Sequence, residues 1–203
     1  MDGLCVTDCE RCPVLVESRS RIVNGVGPDE ADLLFVGEAP GQNEDERGEP
    51  FVGRSGDVLD DALAETGVLR EEVRITNCVR CRPPENRDPH SEELSNCRDY
   101  LETEVDRVDP AILVTLGKVP AEHLLDRAVA VTKEAGSVAD ARIAGQSRRV
   151  LLSVHPAATL YDRSQQETFE DAIREAVDLA GLGDGGSADG GSGGSGQSRL
   201  GDY

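Results

Sequence analysis

The sequence predicts an α/β domain, a three-layer sandwich around a central, mostly parallel four-stranded sheet. Two patterns predict it. Four short, continuous apolar runs recur along the chain, the kind of strand that is buried on both faces of a parallel sheet. Between them lie longer segments with helical spacing of apolar residues, so strands and helices alternate.

Residues 1–30 read as irregular and rich in cysteine. Asp32-Leu-Leu-Phe-Val-Gly37 is the first strand. Helical spacing continues from about Ser55 to Thr66, with Val58, Leu59, Ala62 and Leu63 on one face. Val73-Arg-Ile-Thr-Asn77 is the second strand, and a proline-rich loop, Arg82-Pro-Pro-Glu-Asn-Arg-Asp-Pro89, comes after it. Ser91 is the expected N-cap of a helix reaching about Val105. Ala111-Ile-Leu-Val-Thr-Leu116 is the third strand, and Gly117 opens a helix through about Leu125. Residues 130–147 carry only a weak pattern, which suits a loop or short strands. Val150-Leu-Leu-Ser-Val154 is the last strand. Ser164-Gln-Gln-Glu167 fits a capping box for a helix ending near Ala180. Residues 1–182 thus read as one domain. From Gly183 onward Gly and Ser dominate without apolar periodicity, so 183–203 is expected to be a disordered tail.

Asp and Glu number 40 against 21 Lys and Arg, for a net charge of −19. Taken alone, that opposes nucleic-acid binding, which relies on basic surface. The choice of cation changes the reading, because Lys118 and Lys133 are the only lysines and the rest are arginine. An acidic, lysine-poor surface that keeps its arginines suits high salt. There the Debye length falls to roughly 3 Å and only local contacts count. The plainer reading is that acidity keeps the protein soluble. No apolar run is long enough to span a membrane, and the N-terminus lacks the basic and apolar regions of a signal peptide. A cytoplasmic monomer is expected.

Ligands of parallel sheets bind outside the carboxyl ends of the strands. The residues just past each predicted strand are therefore informative. Gly37-Glu-Ala-Pro-Gly41 is a tight turn beside a carboxylate, and it lacks the lysine of a phosphate loop. The polar stretch after it holds Phe51, which is either a core plug or a face for stacking a planar ring. Asn77 ends the second strand; its amide is a turn cap or a reader of a nucleobase edge. His155 ends the last strand, before Pro156, as a structural or a catalytic imidazole.

The cysteines are Cys5, Cys9, Cys12, Cys78, Cys81 and Cys97. Six in a chain without a secretory signal point to metal or redox chemistry. Cys9 and Cys12 with Cys78 and Cys81 would make a paired zinc site. Cys9, Cys12, Cys81 and Cys97 could instead hold a [4Fe–4S] cluster. Spacing alone leaves both open.

Together these pieces resemble the family 4, iron–sulfur uracil-DNA glycosylases. The matching segments are Gly37-Glu-Ala-Pro-Gly41, Glu44-Asp45, Pro50-Phe-Val-Gly53, Ile75-Thr-Asn77, Cys81-Arg-Pro-Pro-Glu-Asn-Arg87, Cys97, Ile112-Leu-Val-Thr-Leu-Gly117 and His155-Pro156. The resemblance covers about residues 5 to 180, and the acidity suggests a haloarchaeal type. It implies a structural [4Fe–4S] cluster on Cys9, Cys12, Cys81 and Cys97, with Cys5 and Cys78 as extra thiols. It implies that uracil is flipped out of DNA, stacked on Phe51 and read by Asn77. His155 would hydrogen-bond the anion that leaves, aided by the backbone of the 38–41 turn. The best-known uracil glycosylases place an Asp where this chain has Ala39, so the water-activating carboxylate shifts. Glu44 is the expected water-positioning group, with Glu38 contacting base or sugar and Asp45 behind. The family's His-Pro-Ser is His155-Pro-Ala157 here, and its basic next loop is Ala158-Thr-Leu-Tyr-Asp-Arg163. Leu160 or Tyr161 would fill the gap left in the helix. Arg80, Arg82 and Arg87 form the best local phosphate patch. The partner is uracil-containing DNA, single- or double-stranded; a sliding clamp is not readable.

Three competing readings remain on sequence alone. One is a non-catalytic iron–sulfur or zinc module that binds nucleic acid. Another is a redox or nucleotide-binding protein, against which the missing phosphate loop counts. The third is a sister glycosylase for hypoxanthine or xanthine.

Overall fold

The computed structural model describes residues 4–183, and all but the first residue of the expected tail lies outside that range. The sheet has five strands: β1 (Leu33–Gly37), β2 (Arg74–Asn77), β3 (Ile112–Leu116), β4 (Val138–Ile143) and β5 (Gln146–Ser153). Their spatial order is β2-β1-β3-β5-β4. The first four in that order are parallel, as the apolar runs require. β4 adds an antiparallel edge, paired with β5 through a two-residue turn at Ala144 and Gly145. Both turn residues have positive φ, 50° and 79°, the geometry that matches strand twist in tight hairpins. The sheet is thus the four predicted strands plus a fifth drawn from the weakly patterned 130–147 segment.

Eight helices flank it among the described residues: α1 (Pro13–Ser18), α2 (Gln42–Arg47), α3 (Arg54–Glu65), α4 (Ser91–Val108), α5 (Lys118–Leu125), α6 (Val131–Glu134), α7 (Pro156–Thr159) and α8 (Ser164–Ala180). Leu59, Ala62 and Leu63 of α3, with Phe169, Ile173, Ala176 and Val177 of α8, pack on one face of the sheet. Leu101, Val105 and Val108 of α4, with Ala121 and Leu124 of α5, cover the other. Two caps differ from expectation. His90 rather than Ser91 caps α4, its N–H donating to Glu93 Oε2 at 2.7 Å. At α8 the Asp162 carboxylate accepts from the Ser164 N–H (2.9 Å) and hydroxyl (2.7 Å), so an acidic side chain upstream replaces the capping box.

Alternation along β2 organises the N-terminal half. Arg74 and Thr76 point to the α4 side, while Ile75 and Asn77 belong to the opposite face. Glu104 of α4 is fully buried beneath β2. It accepts from Arg74 Nε (2.7 Å), Thr76 Oγ1 (2.8 Å) and Arg80 Nη2 (2.9 Å). The two arginines then reach the irregular N-terminal segment: Arg74 donates to the Gly25 and Gly27 carbonyls, and Arg80 to the Leu4 carbonyl and Asn24 Oδ1. Gly25 is required here, since a Cβ would sit 2.0 Å from Glu104 Oε1. Buried charge survives only when paired and hydrogen-bonded on all sides.

Removing the central carboxylate strands two buried guanidiniums. Glu104→Ala should lower unfolding free energy by about 3–5 kcal/mol in denaturant melts, and a loss under about 1 kcal/mol would show that the network holds little.

Candidate active site

Gly37 closes β1 with its Cα facing the α3 side. A Cβ there would meet Asn77 Oδ1 at 2.3 Å and Phe51 Cε2 at 2.5 Å, so glycine lets an amide and an aromatic ring share the space over the strand end. Phe51 lies on the loop between α2 and α3 with a φ of 53°, left-handed for a bulky residue. Three contacts hold that loop. Glu44 Oε1 accepts the Val52 N–H (3.1 Å), Arg47 Nη1 donates to the Val52 carbonyl (3.1 Å), and Arg70 Nη2 donates to the Pro50 carbonyl (2.6 Å). Gly56 makes room as well, because a Cβ would clash with the Phe51 carbonyl at 1.9 Å.

His155 arrives from β5. Its ring lies 5.9 Å from that of Phe51, centroid to centroid, at an interplanar angle of 29°. Gly117, after β3, packs on its Cβ, where a side chain would come within 3.2 Å. The Ala157 N–H donates to His155 Nδ1 at 3.1 Å, which fixes the tautomer with the proton on Nε2. Burial pulls the imidazole down to about 4, only partly opposed by Glu44, so the ring is a neutral donor near pH 7.

Phe51, Asn77, His155, Glu44, Ala39, Gly41 and Ser55 line one cavity of about 170 Å³ at the carboxyl end of the parallel strands. Four parts of the chain, remote in sequence, therefore converge as the strand-end rule predicts. The Asn77 side chain has no hydrogen-bond partner among the described residues, leaving its amide free for a ligand. The volume is that of a small-molecule site, large enough for a planar base.

Other expected residues fall elsewhere. Glu38 does not line the cavity. Its half-buried carboxyl lies near Asp88, and burial, then that like charge, pushes it up to about 7. Asp45 is buried and accepts the Ser20 and Arg21 N–H groups, so it anchors the N-terminal segment. Arg80 cannot meet phosphates, being buried in the Glu104 network. Arg87 is held in a two-bond pair with Glu93, at 2.7 and 2.8 Å, which neutralises it. Arg82 bonds Asn86 Oδ1 at 2.7 Å and stays partly exposed. Leu160 and Tyr161 are exposed at the end of α7, at 41% and 82%. Sequence reading missed Ser55 in the cavity, which looked like an ordinary helix start. It also passed over Arg54 and Arg163, exposed and free of carboxylate partners among the described residues.

The buried cysteines fall into two groups. Cys78 is buried in the α4-side core. Cys12, Cys81 and Cys97 instead share a separate cluster with Leu15, Val79 and Tyr100. Cys9 and Cys12 act electrostatically on both Cys81 and Cys97, so the four are close neighbours. Among the described residues no group of three or more Cys, His, Asp or Glu is arranged to hold a metal ion. Four thiols brought together from three parts of the chain are a donor set of the kind that holds zinc or an iron–sulfur cluster.

An α/β sheet whose parallel strand ends frame a pocket lined by Phe51, Asn77, His155 and Glu44 defines the class of protein: a parallel-sheet fold with its ligand site at the strand ends. Residues 24–177 match the family described as the Uracil DNA glycosylase superfamily. A type-4 uracil-DNA glycosylase of Archaeoglobus fulgidus is 37% identical over 180 residues, 87% of this chain and 90% of that one. One from Thermotoga maritima is 38% identical over 162 residues, 79% and 82% of the two chains. A type-5 uracil-DNA glycosylase of Thermus thermophilus is 32% identical over 213 residues, covering 87% and 96%. The chain belongs to the uracil DNA glycosylase superfamily, on its type-4 branch.

The low imidazole value has a testable sign. Because folding depresses it below the ordinary 6.5, His155 leaves stability intact above that pH and erodes it as pH falls toward about 4. Its NMR ring signals should stay those of the neutral Nε2–H form from about pH 8 to about pH 5. A midpoint near the ordinary value would contradict the buried donor.

Proposed function

We propose that the protein hydrolyses the N-glycosidic bond of uracil in DNA, leaving an abasic site. The observation that carries this reading is the single cavity shared by Phe51, Asn77, His155 and Glu44. A base inside a duplex is out of reach, so the nucleotide must swing out into such a pocket. Phe51 offers its ring as the stacking surface. The Asn77 amide reads the uracil edge, and a wrong base leaves that buried amide unpaired.

When the bond between C1′ and N1 breaks, its electron pair leaves with the base. Charge collects chiefly at O2, and His155 Nε2–H is the donor that meets it there. A neutral donor is suited to this, since it stabilises an anion without first giving up a proton to it. Water supplies the new oxygen at C1′. Glu44 is the carboxylate in the cavity that can orient that water. One of its oxygens already holds the Val52 N–H, so the same side chain also sets the position of Phe51. Glu38, outside the cavity, acts on the turn rather than on the base.

Cys9, Cys12, Cys81 and Cys97 would hold a [4Fe–4S] cluster, whose chemistry here is to brace. It would tie the N-terminal segment to α4 and to the loop after β2. DNA would be held by local cations, with Arg54 at the start of α3, Arg163 before α8 and Arg82 at the rim. Leu160 and Tyr161, exposed beyond α7, are the apolar groups that fill the vacated stack. The acidic surface fits work at high salt. No helix among the described residues is long and apolar enough to cross a membrane, which suits a cytoplasmic setting.

Base release from a uracil-containing oligonucleotide tests the reading. His155→Asn should slow it by about 10²–10³-fold, the cost of one lost anion donor. Asn77→Ala should slow it at least roughly 10²-fold while melting like the parent; a wild-type rate in either would refute the assignment. For the DNA surface, Arg54→Ala and Arg163→Ala should each weaken binding alike on all sequences and lower the salt slope by about 1. Arg87→Ala should leave that slope unchanged, because its charge is already spent on Glu93.

A further inference from the structure

Each of the four clustered cysteines meets a hydrogen-bonding group from elsewhere in the chain. Arg19 donates from Nη1 to Cys81 Sγ at 3.0 Å, and from Nη2 to the Cys9 carbonyl at 2.7 Å. Asn96 Nδ2 donates to Cys12 Sγ at 3.4 Å. The Tyr100 hydroxyl interacts with the Cys9 side chain, and the Arg80 backbone N–H with that of Cys97. The two remaining cysteines are served differently: Cys78 has only its own backbone, and exposed Cys5 has a 3.6 Å contact from Asn24.

Neutral thiols are weak acceptors and gain little from such company. Thiolates bound to metal carry negative charge and gain a good deal, since charge-assisted bonds are the stronger class. The donors come from three places: α4, the turn after α1 and the backbone after β2. No local sequence pattern would group them, so their convergence on four sulfurs belongs to the fold.

The geometry points to Arg19, Asn96 and Tyr100 as positioning residues that neutralise thiolate charge at Cys81, Cys12 and Cys9 and so raise the reduction potential of the bound cluster. The inference rests on the cluster reading above. Its logic is electrostatic. An added electron places more negative charge on the sulfurs, so each donor stabilises the reduced state more than the oxidised one. The Arg19 guanidinium should matter most, being a full charge at the shortest distance. Tyr100 has a second part to play as packing, with the guanidiniums of Arg11 and Arg80 over its ring at 4.4 and 5.8 Å.

The test is voltammetry of the iron-loaded full chain at fixed pH and salt, with iron content and absorption spectrum recorded for every variant. Tyr100→Phe removes only a hydroxyl and keeps the packed ring, and Asn96→Ala and Arg19→Lys are the companion changes. All three should shift the potential downward with iron per chain unchanged, and Arg19→Met should shift it furthest. Iron-replete Tyr100→Phe and Asn96→Ala at the wild-type potential would overturn the proposal, as would iron-replete Arg19→Met at that potential. If Arg19→Met sheds iron, the comparison passes to Tyr100→Phe and Asn96→Ala, whose potentials decide it in the same way. A wild-type preparation that holds zinc, or no metal, would overturn the cluster itself before any variant is compared.

Discussion

The buried carboxylate of Glu104 joins three parts of the molecule: a strand, a helix and, through two arginines, the N-terminal segment. It faces Arg74 and Thr76 of β2 from α4, and through Arg80 it reaches the irregular segment that carries Cys9 and Cys12. Desolvating these charges is costly, and only full pairing offsets it. The arrangement is therefore close to all-or-none, which is why a segment with so little secondary structure of its own can hold a defined place. The same alternation that aims Arg74 and Thr76 at Glu104 aims Ile75 and Asn77 at the opposite face. One strand thus secures the cysteine-bearing segment with its even-numbered side chains and presents the Asn77 amide to the cavity with its odd ones.

Close approach of backbone to side chain does comparable work at the pocket. Gly37 admits Phe51 and Asn77 to one space, Gly56 accommodates the Phe51 carbonyl, and Gly117 admits the imidazole. The left-handed backbone at Phe51 is a cost carried at the site, in keeping with the tendency of strained residues to cluster where ligands bind. Glu44, Arg47 and Arg70 hold it there by gripping the loop's backbone on both sides of the ring. The pocket is consequently formed before any ligand arrives, and binding need not be spent on ordering that loop.

Much of this was legible in the sequence, for a physical reason. Parallel strands buried on both faces must be continuously apolar, so Leu33–Val36, Ile112–Leu116 and Val150–Leu152 stand out against an acidic chain. Once the strands are known, the strand-end rule brings the 37–41 turn, Asn77 and His155 to one rim, as they are found. β4 was not legible, because an edge strand with one wet face carries small and charged residues, and its turn is Ala144-Gly145 rather than the Asn-Gly of strong hairpin signals. The α4 and α8 caps were misassigned by one or two residues for a similar reason: His90 and Asp162 satisfy the helix starts from outside the expected motifs. Glu38 shows the limit of motif reading more sharply. It stands inside the turn that frames the pocket, yet it is not among the residues lining the cavity, and the charge it feels is that of Asp88.

Charge was the other place where sequence and structure part. A net −19 is a sum over the chain, whereas binding to DNA is decided over a few ångströms at high salt. Most arginines turn out to be internal partners: Arg70 with Asp60, Arg74 and Arg80 with Glu104, Arg87 with Glu93, Arg98 with Glu102, Arg127 with Glu134, Arg148 with Asp109. Counting them as a phosphate surface overstates the cation supply, just as the net charge understates it. Arg54, by contrast, opens α3, the helix that brings Ser55 to the pocket, and Arg163 stands just before α8; neither has a carboxylate partner among the described residues. A guanidinium without a carboxylate keeps its charge for another anion, and of these two Arg54 is the neighbour in sequence of a cavity-lining residue, Ser55.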